Sequence, residues 1–469
     1  MAYYYLFTTA LTALLVLIPI TITILFKTKT KGLKLPPGSY GWPILGETIE
    51  FLRALKEGSP EKFIKDRMEK YKTSEVFKTS LLGVPVVVMC GTAGNKMLFS
   101  NENKLVTTWW PASVRKLLGT CITTTGGAQG MQMRKMVSYF LSPDAFTKLY
   151  IRTMDLVSQN HINTHWQCQG EEELKLKVFP AIKLYTFELA CRFFMSIEEP
   201  THIKKLAALF NVFLGGVVSI PLDFPGTNFY YAKRATDATK KELRLIVRQR
   251  REALEQGTAS PTQDLLSHLL VSPDENGGFM PESVIVNNIL LLLFAGHDTS
   301  SCTITMLIKV LAEYPQVYET VLREQNEIAS TKEPGEFLQW EDIQKMKYSW
   351  NVVSETMRLW PPITGTFREA LVDVRYGGYD IPKGWKKKFD PSRFDGSGPV
   401  PYSFVPFGGG PRMCLGKEFA RLEILTFLHN VIRRFRWDLV IPGERILCDP
   451  MATPEKGLPI CIHPHKVCD

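Results

Sequence analysis

The residues Phe407-Gly408-Gly409-Gly410-Pro411-Arg412-Met413-Cys414-Leu415-Gly416 put one cysteine on a glycine-rich loop, directly ahead of an apolar helical pattern running from Lys417 to Phe435. A helix N-terminus carries partial positive charge and unpaired N–H donors, which favours a thiolate over a thiol. A thiolate held there suits a metal. The glycines let something large and flat approach the backbone, and Arg412 supplies a cation beside it. A second chemical stretch, Ala295-Gly296-His297-Asp298-Thr299-Ser300, sits in the middle of the longest helical pattern, Pro281 to Tyr314. Glycine weakens a helix, and Ser and Thr hydroxyls compete for its carbonyls, so this departure inside an apolar helix points to function. Glu355 and Arg358 stand three apart, the spacing of an ion pair on one helix face. His161 and His165 have the i, i+4 spacing of a zinc pair, but no third ligand accompanies them and no zinc site is expected.

Elements must position these groups. Strands are expected over Val76 to Cys90, where Val86-Val87-Val88 is the strongest β signal. Helices are expected over Ile151–Trp166, Pro180–Ser196, Lys204–Val217 and Tyr231–Glu255, with loop from Ala259 to Gly278 except Asp264–Val271. The apolar centre of Pro281–Tyr314 carries Asn287 and Asn288 and reads as a buried core helix, too short for a membrane span. Leu33 to Gly46 is rich in proline and glycine and reads as a stiff elbow.

The chain has 469 residues, 45% of them hydrophobic, and no linker, repeat or low-complexity tract divides it. Its net charge of +9 is modest for that length and suits an anionic membrane or an acidic protein partner, and no nucleic-acid motif accompanies it. From Tyr5 to Phe26 the sequence is uncharged and mostly apolar, long enough to span a bilayer, and Lys27, Lys29, Lys31 and Lys34 follow it. By the positive-inside rule the rest of the chain then stays in the cytosol. The organisation expected is an anchor over 1–34 and one domain over 35–469. Nine dispersed cysteines without a disulfide framework, and no Asn-x-Ser/Thr site, agree with a reducing compartment.

Phe407, Gly410, Arg412, Cys414 and Gly416 match all five fixed positions of Phe-x-x-Gly-x-Arg-x-Cys-x-Gly, and the chain thereby resembles the cytochrome P-450 superfamily. The resemblance implies a mostly α fold with small β-sheets (α+β), preceded here by a single transmembrane helix. It implies haem b with Cys414 as axial iron ligand. Carried over, Gly296 makes room for dioxygen, Asp298 feeds protons and Thr299 places a hydroxyl beside them. Arg134, Arg368 and Arg412 look like contacts of the haem propionates. Glu355 and Arg358 resemble the superfamily's charge pair, completed by Arg393. Leu35-Pro36-Pro37-Gly38, Phe389 to Phe394 and Pro401 to Phe407 look most like the plant branch that oxidises triterpenes and related terpenes. By the same analogy Trp109–Leu118, Phe210–Pro221, Ile363-Thr364 and Lys456–Pro459 line an apolar pocket.

What the resemblance implies for function is a monooxygenase of the endoplasmic reticulum membrane, with its catalytic domain cytosolic. It oxidises an apolar C–H bond, on an amyrin-type triterpene, with electrons from an NADPH-dependent flavoprotein reductase docking near Lys417, Arg421, Arg433 and Arg434. Two departures qualify it. The helix that carries Arg134 opens Gly127-Ala128-Gln129-Gly130 where the family has an acidic and a larger residue, which is costly and removes a contact to the haem edge. Ile381-Pro382-Lys383-Gly384-Trp385-Lys386 runs straight into Lys387-Lys388-Phe389-Asp390, where the family has a strand and a short helix in between. An internal deletion there would leave neighbouring strands with unpaired backbone groups. Loop-length variation is the benign alternative. The readings are therefore an active enzyme, a shortened variant without catalysis, or a haem protein that rearranges peroxides without a reductase, against which the Asp298-Thr299 pair argues.

Overall fold

The structure is a computed structural model and describes residues 32–42, 45–73, 75–81, 84–141, 150–166, 174–275, 277–381, 386–390, 402–448 and 451–465. The helix expected over Tyr5–Phe26 and the residue Arg393 lie outside them. The chain divides into two compact units: one holds the chain up to Trp109 with Thr364–Val405 and Gly409–Arg412, the other Trp110–Ile363, Pro406–Gly408 and Met413–Asp469.

The first unit is built on a five-stranded sheet, in the order Val76–Leu81, Val84–Cys90, Lys386–Asp390, Phe367–Ala370, Val106–Thr108. Alternation along Val84–Cys90 sends Val86 and Val88 into one cluster with Phe63, Phe77 and Leu81, and Val87 and Met89 into another with Val76, Leu98 and Val106. Both faces are thus buried, which explains the unbroken valine run. Lys386–Asp390 pairs parallel with Val84–Cys90 and antiparallel with Phe367–Ala370. The sheet is therefore not left open at the junction: the residues just after it occupy a central strand position. The proline-rich elbow is stitched to the sheet edge, where Lys78 N–H donates to the Pro37 carbonyl at 2.8 Å and Glu47 N–H to Ser80 at 2.8 Å.

The second unit is helical. Glu282–Glu313 runs through it with most residues buried, and packs most extensively on Val178–Met195 and also on Asn228–Glu255, Lys347–Leu359 and Lys417–Ile432. It is long and apolar enough to cross a membrane, but its burial marks it as a core helix, as expected. Pro281 stands just before it and Pro315 opens the next helix. Observed helices over Ile151–His165, Val178–Met195, Pro200–Val217, Asn228–Glu255 and Leu265–Val271 match the expected ones within a few residues. Lys417–Ile432 ends before Phe435, which instead opens a strand, Phe435–Leu439, of a three-stranded sheet with Pro459–Pro464 and Leu174–Lys177.

Candidate functional site

Cys414 lies three residues before Lys417, the first residue of the Lys417–Ile432 helix, and its N–H donates to the Phe407 carbonyl at 2.8 Å, closing the loop on itself. Arg134, on the Gly127–Phe140 helix, donates from Nη2 to the Met413 carbonyl at 2.6 Å and so braces the backbone next to the cysteine. The Cys414 side chain is exposed, yet protein crowds it enough for burial to push the thiol up; the Gly416 N–H and the Arg134 charge pull it back.

The Glu282–Glu313 helix is continuous through Gly296 and Thr299. Thr299 Oγ1 donates to the Ala295 carbonyl at 2.6 Å, the competition for carbonyls that its residue type foretells. Ala295 is exposed and Gly296 and Thr299 are half-buried, while His297, Asp298 and Ser300 are buried. One face of the helix is thus uncovered at its middle. A Cβ on Gly296 would meet only the Phe194 ring, at 3.5 Å, so packing against protein does not require glycine there.

Asp298 turns away from that face and pairs with Lys183 Nζ at 3.0 Å. Burial pushes its carboxyl up, and Lys183 pulls it down. Sequence reasoning missed Lys183, although a lone lysine in the apolar run Ile182-Lys183-Leu184 was a usable signal. It also missed Glu423, alone between Leu422 and Ile424, whose carboxyl burial pushes up to about 8 with a contact to Ser300 easing it. Beside His297 stands Phe187, edge-on at 5.0 Å, and burial holds the imidazole well below its usual range. The His161 and His165 rings lie 4.7 Å apart, tilted by 44°, and His161 packs against Tyr185 and Phe427.

In the first unit, Gly410 has φ of +62° and a Cβ there would lie 2.0 Å from the Phe99 carbonyl oxygen, so no other residue fits. Arg368 and Arg412 are buried together on a carboxylate that the sequence did not single out. Glu102 Oε2 accepts from Arg368 Nε at 2.5 Å, and Glu102 Oε1 lies 3.6 Å from Arg412 Nε. Arg358 pairs with Glu355 through Nε and Nη2 at 2.8 and 2.6 Å, in the second unit, as the spacing predicts.

Each unit by itself offers groups that fit a haem: the second an accessible sulfur on a glycine-rich loop and an uncovered helix face with a hydroxyl, the first buried guanidiniums suited to carboxylates. A helical fold with such a cysteine loop defines the haem-thiolate class. The family model described as Cytochrome P450 matches residues 36–386 and 387–462. This chain belongs to the cytochrome P450 family. The match breaks at the Lys386–Lys387 junction. Beta-amyrin 28-monooxygenase of Vitis vinifera is 52% identical over 453 residues, covering 93% of each chain, and that of Medicago truncatula 50% over 468 residues, covering 96% of each. Cytochrome P450 716A1 of Arabidopsis thaliana is 46% identical over 453 residues, covering 92% of this chain and 93% of its own. Among solved structures, retinoic acid bound cyanobacterial CYP120A1 is similar with a TM-score of 0.81 and 30% identity, over 92% of this chain and 100% of that one. The plant triterpene branch suggested by the sequence is thereby supported, and haem with a cysteine thiolate is the family's cofactor.

Proposed function

We propose that this chain oxidises a pentacyclic triterpene of the β-amyrin type at C-28, as a monooxygenase anchored by residues 1–34 in the endoplasmic reticulum membrane with residues 35–469 on the cytosolic side. The observation that carries this reading is the relatedness to named β-amyrin 28-monooxygenases along nearly the whole of both chains. The overall change is insertion of one atom of O2 into a C–H bond, with two electrons and two protons reducing the other atom to water. Thiolate-ligated haem supplies the oxygen activation. The chain's own residues supply the rest. Cys414 donates the ligand, held by the Phe407–Gly416 loop and by Arg134. Arg134, Arg368 and Arg412 would supply the cations for the haem carboxylates. Gly296 leaves room on the uncovered helix face, and Thr299 offers a hydroxyl there. Asp298, poised between burial and Lys183, exchanges a proton at its carboxylate. Glu355 and Arg358, with Arg393, brace the segment before the loop. Electrons come from an NADPH-dependent flavoprotein reductase, for which Lys417, Arg421, Arg433 and Arg434 give a basic docking face.

Co-expression with such a reductase in a host producing β-amyrin tests this: C-28 alcohol, aldehyde or acid is expected, and oxidation only elsewhere on the skeleton overturns the position. A second reading, a haem-free shortened variant, is favoured by the break in the family match at Lys386–Lys387. A carbon-monoxide difference spectrum of the reduced protein separates them: a thiolate-type Soret band supports the enzyme, and its absence supports the variant. Cys414→Ala should abolish that band.

A further inference from the structure

We propose that Glu102 is a positioning residue for haem, a buried carboxylate that sets the planes of Arg368 and Arg412 toward the propionates. The inference rests on the reading that these arginines face the haem carboxylates.

The side chain of Glu102 is 1% exposed and those of both arginines 6%. Two buried guanidiniums side by side repel and are costly to desolvate, so a carboxylate shared between them is what allows both to stay inside. Glu102 Oε2 accepts from Arg368 Nε at 2.5 Å, while its Oε1 accepts the Thr108 N–H at 3.0 Å and stands 3.6 Å from Arg412 Nε, an ion-pair contact that faces that guanidinium without a hydrogen bond to Nε. Arg368 Nη1 is fixed by Thr366 Oγ1 at 2.6 Å and by the Phe367 carbonyl at 2.9 Å. The orientation of Arg368 is over-determined, and that of Arg412 is set by charge.

The support behind Glu102 is equally tied down. It follows the Gly91–Ser100 helix in a turn where Lys104, Leu105 and Val106 N–H all donate to the Asn101 carbonyl. Thr108 stands opposite Arg368 in the sheet, so the residue that donates to Glu102 and the arginine share one ladder rung. Phe99, on the same helix end, closes on Gly409 and Gly410 of the cysteine loop. One helix end therefore sets both the loop that carries Arg412 and the acid that aims it.

Charge removal and positioning predict opposite results. If Glu102 only neutralised charge, Glu102→Gln would tighten the hold on haem propionates; if it positions, the same change loosens it. The full chain, loaded with haem in detergent, is mixed with excess apomyoglobin and the rate of haem loss is followed. Arg368→Ala and Arg412→Ala should each speed loss. Glu102→Gln should speed it about tenfold, equivalent to about 1.4 kcal/mol, and add little on top of the two arginine changes together. Glu102→Asp, which keeps the charge at shorter reach, should also speed it, and it carries the test should Glu102→Gln not fold by circular dichroism. Unchanged or slower loss in the Glu102 variants, with the arginine variants fast, overturns the positioning role alone. Unchanged loss in the arginine variants overturns the arginine reading beneath it.

Discussion

Gly410 sits at φ +62° with its Cα against the Phe99 carbonyl, whereas Gly296 sits in a helix with only the Phe194 ring near. The two glycines of the site are consequently glycine for different reasons. Gly410→Ala forces a left-handed backbone on a residue with a Cβ and drives that Cβ into a carbonyl, at a cost of about 2 kcal/mol or more. We expect less haem-loaded protein and a lower unfolding temperature. Gly296→Ala meets an ordinary contact, and alanine is the better helix former by roughly 0.5–1 kcal/mol, so the protein should be as stable or more. Its side chain would instead occupy the uncovered helix face, and turnover should fall at unchanged haem content. Measuring unfolding temperature and turnover of both variants checks the contrast: equal losses of stability would show that Gly296 is structural.

At the scale of elements, the helices were legible because each buries a wide apolar stripe on others, and the periodicity survives in the sequence. Val84–Cys90 was legible for a similar reason, since both of its faces are buried. Lys386–Asp390 was not: a run of three lysines has weak strand propensity, and its place between Val84–Cys90 and Phe367–Ala370 is a tertiary fact. The partners of lone charges were hidden likewise. Nothing local tells that Lys183 meets Asp298, or that Glu102 meets residues more than 250 positions on; helix and strand packing brings them together. A proline tests the lysine strand. In a strand with neighbours on both sides, Lys387→Pro removes a ladder donor and should lower stability by about 3 kcal/mol. A loop at that position would tolerate it, so a wild-type unfolding temperature in this variant would argue against the strand.

Across the whole molecule, buried titratable groups of the helical unit set how stability varies with pH. Burial holds His161 and His429 down to about 3, and His297 well below its usual range. An unfolded chain binds protons at these imidazoles below pH 6.5 while the folded one does not, so stability is lost as pH falls from about 6.5 toward 3. Glu423 works in the other direction. Its folded carboxyl titrates at about 8, and the unfolded one in the ordinary carboxylate range. Between those values the folded state holds the extra proton, and stability falls as pH rises to about 8. These groups together place the maximum near pH 6.5. Glu423→Gln keeps the shape and removes the ionisable proton, so its unfolding temperature should decline less than the wild type's between pH 6.5 and 8 and should rise more steeply between pH 5 and 6.5, where the opposing slope of Glu423 is also removed. Melting curves of both proteins across pH 5 to 8.5 decide it: parallel alkaline limbs would mean that Glu423 is already ionised in the folded protein across that range.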